Sequence, residues 1–194
     1  RDGRALPVQL EGEAPSAATE RVLVLEDGRA FFTFVGLDVE PVPSLLRGHS
    51  APVRVEFDYT DRELALLAAH DADPVNRWDA AQRTFVTALL WLARQCRTGA
   101  PLVLPAGIEH VVAHLLDDAS SDPALVAMAL TPPDLGYVAA LEPVQDVDGI
   151  VAARAFLVRT LAARLRPAFE EVIARHRPRA PPPARSPVRR GRSP

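Results

Sequence analysis

Val53-Arg54-Val55-Glu56-Phe57-Asp58-Tyr59 runs straight into Thr60-Asp61-Arg62-Glu63-Leu64, and at that junction the chain changes its period. In the first seven residues apolar side chains alternate with charged ones. This period of two belongs to a strand with one buried and one wet face. Thr60 and Glu63 then have capping-box spacing, in which a hydroxyl and a carboxylate each satisfy an orphan backbone N–H at a helix start. Leu64, Leu66, Leu67 and His70 follow on a helix. The chain therefore reads as β before residue 60 and α after it.

Upstream, Pro7-Val8-Gln9-Leu10 is a short strand candidate. Val22-Leu23-Val24-Leu25 is a second, closed by the turn signal Glu26-Asp27-Gly28, and Ala30 to Val35 is a third. The Pro-rich crossover from Val39 to Pro52 stays extended and out of any central ladder. Four strands with such connections imply part of a β-sandwich over residues 1–59. Downstream, Asp71 to Pro74 breaks the first helix, and Asn76 is read as the cap of the next. That helix runs from about Arg77 to Arg97 with Trp78, Ala81, Phe85, Leu89, Leu92 and Cys96 on one face; Trp78 is read as a core anchor and Cys96 as a buried, inert thiol. Gly99-Ala100-Pro101 ends it. Further helices are expected over roughly Ala106–Asp117, Asp122–Leu130 and Asp148–Arg175, the last with Ile150, Ala153, Leu157, Leu161, Leu165, Phe169 and Ile173 as its stripe. Helices joined by short turns stack as antiparallel pairs, so residues 60–176 read as a helical, superhelix-like domain, although no clean repeat is present.

The chain has 194 residues, a net charge of −3 and 48% apolar residues, enough for one or two small cores. No apolar run approaches the ~18 residues of a membrane helix. All 22 basic residues are arginine, which matches GC-rich coding and carries no binding signature. The single cysteine excludes an internal disulfide and fits a reducing, cytoplasmic compartment. Residues 1–176 hold 16 Arg against 25 acids (−9), whereas 177–194 hold 6 Arg and no acid (+6). That tail, with six prolines as well, cannot build a core and is expected to be disordered. It is basic but free of aromatic residues, and the acidic body argues against nucleic-acid binding.

No constellation of catalytic residues emerges. His110 and His114 have the i,i+4 spacing of an H-E-x-x-H zinc helix, but Val111 stands where the general base belongs, and neither Glu109 nor Asp117-Asp118 makes a convincing third ligand. Asp71-Ala72-Asp73-Pro74-Val75-Asn76 begins like a calcium loop and lacks its central Gly and terminal Glu. Gly48-His49-Ser50 is no triad fragment, Gly12 and Gly28 form no dinucleotide fingerprint, and without lysine there is no phosphate loop. Glu170 and Glu171 are successive helix positions, so they diverge. The expected assignment is no catalytic, cofactor-binding or metal residue in this chain.

The run Pro41-Val42-Pro43-Ser44-Leu45-Leu46-Arg47-Gly48-His49-Ser50-Ala51-Pro52-Val53-Arg54-Val55-Glu56-Phe57, taken with Asn76-Arg77-Trp78-Asp79-Ala80-Ala81-Gln82, resembles the bacterial M1-family zinc aminopeptidases of the alanyl aminopeptidase branch. Leu104-Pro105, Leu115-Leu116-Asp117-Asp118, Asp122-Pro123-Ala124-Leu125-Val126, Ala129-Leu130-Thr131 and the helix from Ile150 continue the likeness to about residue 176. It implies the later strands of an Ig-like sandwich over 1–59 and the first helices of the C-terminal helical domain over 60–176. Such enzymes remove N-terminal residues from peptides with one zinc ion held by H-E-x-x-H and a further Glu, and grip the substrate amine with a Gly-x-Met-Glu-Asn-type loop. Neither motif is in this sequence, whose one Met is Met128. The resemblance thus implies a non-catalytic region, inactive alone, of an enzyme whose helical domain limits access to the active site. The start at Arg1-Asp2-Gly3 and the Arg/Pro tail carry the expectation of a piece of a longer gene product, interrupted by a frameshift or gene break. Two alternatives stand beside it: a stand-alone helical interaction module, or partner of the missing catalytic region in trans, and a nucleic-acid-associated protein acting through the tail.

Overall fold

The computed structural model describes residues 3–118 and 122–177; the tail expected to be disordered lies outside them, Arg177 excepted. Among the described residues the order is β then α. Strands β1 (Gln9–Leu10) and β2 (Phe34–Val35) are followed by helices α1 (Asp61–His70), α2 (Pro74–Thr98), α3 (Ile108–Asp117), α4 (Pro123–Leu130), α5 (Leu135–Ala140), α6 (Val147–Arg164) and α7 (Arg166–His176).

The β half holds fewer strands than its periodicity predicts. β1 and β2 pair antiparallel, Gln9 opposite Val35 and Leu10 opposite Phe34. Neither Val22–Leu25 nor Val53–Tyr59 forms a strand. The physical reason is that alternation specifies which face of a strand is apolar, whereas a strand exists only with a hydrogen-bonded neighbour. Many apolar side chains of this half consequently meet solvent, among them Val22, Val24, Leu25, Phe31, Val53 and Phe57.

The helical half carries the core. Phe85, Leu89 and Leu92 of α2 pack with Ile108, Val112 and Leu116 of α3, Val138 of α5, and Ile150, Leu157 and Leu161 of α6. A smaller cluster joins Leu64 and Ala68 of α1, Ala80 and Ala81 of α2, Val111 and Leu115 of α3, and Ala129 of α4, with Tyr59 against it. The short helix α3 is buried on two faces and links the clusters. The anticipated capping box is present: Glu63 N–H donates to Thr60 Oγ1 at 3.3 Å, and Thr60 N–H donates to the Glu63 carboxylate at 2.7 Å. The bonds from Thr60 hold the Glu63 carboxyl below its ordinary range.

Several boundaries differ from the sequence reading. α2 starts at Pro74 rather than Arg77, because Asp73 caps it and a proline in the first turn lacks only an N–H that would have no partner. Asn76 is inside the helix. α3 starts at Ile108, with Gly107 at φ 94° as its N-cap. The long final helix is two: Pro167 cannot donate to the ladder and its ring excludes the preceding turn, so the helix breaks at Leu165. Past that break Leu165 and Phe169 still pack on the core, but Ile173 is exposed. α5 is an element the sequence does not announce; Asp134 caps it through Gly136 and Tyr137 N–H, and the six-residue span is too short to show a period. Trp78, on the first turn of α2, is 38% exposed, so it is a rim residue and not a core anchor. Cys96, at the other end, is half-buried.

Candidate functional site: an interdomain clasp beside a histidine-lined depression

The crossover between the halves is tied to the α1–α2 turn by side chains of that turn. Asn76 Nδ2 donates to Ser44 Oγ at 2.9 Å and to the Leu45 carbonyl at 2.8 Å. Asp73 divides its carboxylate: Oδ1 accepts from Val75 and Asn76 N–H at 2.9 and 3.2 Å, capping α2, while Oδ2 accepts from Gly48 N–H at 2.8 Å. Tyr59 Oη donates to the Pro43 carbonyl at 2.7 Å, and the Arg83 guanidinium lies 5.5 Å from the Tyr59 ring centroid. Burial pushes the Tyr59 hydroxyl up, Arg83 opposing. Arg47 reaches Glu20 at 2.7 Å and Asp71 at 3.7 Å. The second contact is loose, for Arg47 Nε and Asp71 Oδ2 are buried without a hydrogen-bond partner.

These ties hold an unusual turn. Leu46 (φ 55°), Gly48 (φ 64°) and His49 (φ 51°) are all left-handed. Each non-glycine residue there costs on the order of 1 kcal/mol and persists only where its surroundings over-determine it. For Asp73, burial raises the carboxyl, but the N–H groups of Gly48, Asn76 and Val75 and the charge of Arg47 outweigh it and hold the group below its ordinary range. The Asp-rich run that begins like a calcium loop is thus a cap and a clasp: Asp71 Oδ1 accepts from Asp73 N–H at 2.9 Å, and Asp73 is committed to three amides.

Next to the clasp lies an open depression of about 510 Å³, lined by Ala69, His70, Asp71, Ala72, Arg77, His114, Asp117 and Asp118. Arg77 and Asp118 close one wall as an ion pair at 2.6 Å, 16% and 10% exposed. The His114 ring sits edge-on to His70, centroids 4.8 Å apart, and 6.4 Å from His110. The sequence reading missed His70 as the neighbour of His114 because 44 positions (114 − 70) separate them; only the packing of α1 on α3 joins them.

The remaining candidates disperse. Glu109 pairs with Arg164 at 2.7 Å, Glu170 with Arg166 at 2.8 Å and Glu171 with Arg175 at 3.0 Å. His49 is exposed in the left-handed turn. Among the described residues no group of three or more His, Cys, Asp or Glu is arranged to hold a metal ion. No described helix is long and apolar enough to cross a membrane.

Comparison with known proteins places this architecture. Residues 3–58 match a family described as a domain of unknown function (DUF3458) with an Ig-like fold, and residues 61–191 match one described as a domain of unknown function (DUF3458_C) with ARM repeats. The two matches meet at the change of period, and the second continues through most of the Arg/Pro tail. Aminopeptidase N of Escherichia coli is 34% identical over 164 residues, covering 84% of this chain and 18% of that enzyme. Aminopeptidase N of Haemophilus influenzae is 31% identical over 152 residues, covering 78% of this chain and 17% of that enzyme. A crystal structure of Legionella pneumophila aminopeptidase A in complex with aspartic acid superposes with a TM-score of 0.59 at 25% identity, over 75% of this chain and 18% of that one. The chain thus spans under a fifth of the length of these relatives. It belongs to the DUF3458_C ARM-repeat family, carries the companion Ig-like segment ahead of it, and corresponds to a segment of the M1 aminopeptidases.

Proposed function

We propose that this chain is a non-catalytic segment of a zinc-dependent M1 aminopeptidase, a cytoplasmic enzyme that removes N-terminal residues from peptides. The observation that carries the reading is the continuous similarity to one enzyme, aminopeptidase N, over 84% of the chain, through both its β and its helical part. The segment's work is mechanical. The clasp of Asp73 and Asn76 fixes how the Ig-like strands meet the helices, and the helical wall limits which peptides reach an active site built elsewhere in the enzyme. Zinc would supply Lewis-acid activation of water there, at residues contributed by another part of the enzyme.

The test is hydrolysis of an alanyl anilide by the purified chain with and without added zinc. No turnover above the uncatalysed rate is expected in either case. Zinc-dependent turnover that disappears in H110A or H114A would overturn the reading.

A further inference from the structure

We propose that the turn Leu46–His49 is a two-position switch at the junction of the two halves, in which Arg47 passes between Glu20 of the Ig-like half and Asp71 of the α1–α2 turn. One guanidinium here serves acids from both sides. Arg47 Nη1 meets Glu20 Oε1 at 2.7 Å, and Arg47 Nη2 stops 3.7 Å from Asp71 Oδ1. Asp73 also feels the charge of Arg47 but is committed to three amides. The competition is therefore between Glu20 and Asp71, and the two are unlike. The Glu20 side chain is 62% exposed and keeps its water, whereas that of Asp71 is 2% exposed. A buried carboxylate short of partners costs more than a solvated one.

The geometry points to where Arg47 goes when it leaves Glu20. A guanidinium grips a carboxylate best through two parallel N–H···O bonds. Nη2 already faces Asp71 Oδ1, and the other tine of such a fork is Arg47 Nε with Asp71 Oδ2. Those are the two atoms of this pair that, among the described residues, are buried with no hydrogen-bond partner. A closure of about 1 Å, from 3.7 Å to the ~2.8 Å of a charge-assisted bond, joins the fork and satisfies both at once. Glu20 opposes this by holding Nη1 from the other side. The backbone opposes it as well, because Leu45 and Gly48, which flank the arginine, are tied to Asn76 and Asp73. Leu46 and His49 sit in the left-handed region, where a non-glycine residue stores strain that a rearranged turn can release. Paired charge on one side is thus set against satisfied buried atoms on the other, which places the two arrangements close in energy. Both orphaned atoms are enclosed by this chain's own residues, and the exchange does not rest on the enzymatic reading.

Nuclear magnetic resonance of the 194-residue chain tests it, read at the Arg47 Nε–Hε cross-peak and the Gly48 and His49 amides. R47K keeps the charge without the fork and assigns the cross-peak by its loss. E20Q removes the exposed competitor and should move the three signals toward the Asp71-bound position. E20K adds repulsion and should move them further along the same line. D71N keeps an acceptor for the Asp73 N–H and should move them the opposite way, leaving wild type between. Arg47 Hε should exchange with water at least about tenfold more slowly in E20K than in wild type, because it gains a carboxylate acceptor. Signals left in place by E20Q and E20K would overturn the proposal, by assigning Arg47 a single fixed position. Displacement in the same direction by the Glu20 and Asp71 variants would overturn it equally. Should D71N fail to fold, the order of wild type, E20Q and E20K along one line and the slowed Hε exchange decide the matter; an Hε exchange rate unchanged in E20K would then refute the fork.

Discussion

Replacing Asp73 separates what caps α2 from what holds the crossover, because its two carboxylate oxygens do different work. Oδ1 accepts from Val75 and Asn76 N–H at the start of a 25-residue helix; Oδ2 accepts from Gly48 N–H in the left-handed turn. Asp73→Ala removes both. Loss of an N-cap costs about 1 kcal/mol, and a charge-assisted bond to an amide is worth about 1.5 kcal/mol where solvent competes, so the expected destabilisation is about 2–3 kcal/mol. Asp73→Asn keeps a capping oxygen and turns an NH2 toward Gly48, so it loses only the second share, about 1–2 kcal/mol. Urea unfolding followed by circular dichroism at 222 nm reads the totals. Hydrogen exchange reads the parts: the Gly48 amide should exchange fast in both variants, and the Asn76 amide only in Asp73→Ala. Equal destabilisation by the two variants, or less than about 0.5 kcal/mol for Asp73→Ala, would refute the division of labour. The pH dependence has a fixed sign. The folded-state carboxyl is held below its ordinary value, so its contribution is complete above the unfolded value near 3.9 and is lost as pH falls through the lower folded value. The stability gap between wild type and Asp73→Ala should therefore narrow only below about pH 4.

Other substitutions should sort by burial. Leu157→Ala, at a fully buried position of α6, should cost about 2–5 kcal/mol in the same urea experiment. Tyr59→Phe removes the bond to the Pro43 carbonyl while keeping the ring, and should cost about 1 kcal/mol and speed exchange in residues 43–49. Trp78→Ala, at the rim, should cost less than a core truncation, under about 2 kcal/mol; a loss as large as that of Leu157→Ala would make the ring a core anchor after all.

What is legible in the sequence is what short-range chemistry determines. The helix start after Thr60, its capping box, and the stripe Ile150, Ala153, Leu157, Leu161 all reappear as structure, because each is specified by residues within a turn or two. The sandwich is legible as a fold class, in agreement with the Ig-like family match, yet the strands expected at Val22–Leu25 and Val53–Tyr59 do not form. Their alternation names a face but supplies no partner. Asn76 reads as a cap because it stands near a helix start; that Asp73 caps and Asn76 reaches back to Ser44, 32 positions away, depends on where the crossover lies. Pro167 is in plain view, but an unbroken apolar stripe across it conceals the break. His70 beside His114 has no sequence signal at all.

The most direct test is a chimera in which the matching 164-residue segment of Escherichia coli aminopeptidase N is replaced by that of this chain. If the segment contributes architecture and access but no reacting group, the folded, zinc-loaded chimera keeps kcat within about tenfold, the scale expected of effects outside the reacting groups, and changes chiefly in KM across peptides of different length. A chimera with intact fold and zinc content whose kcat falls by several orders of magnitude would show that the segment takes part in the chemistry, and would contradict the non-catalytic assignment.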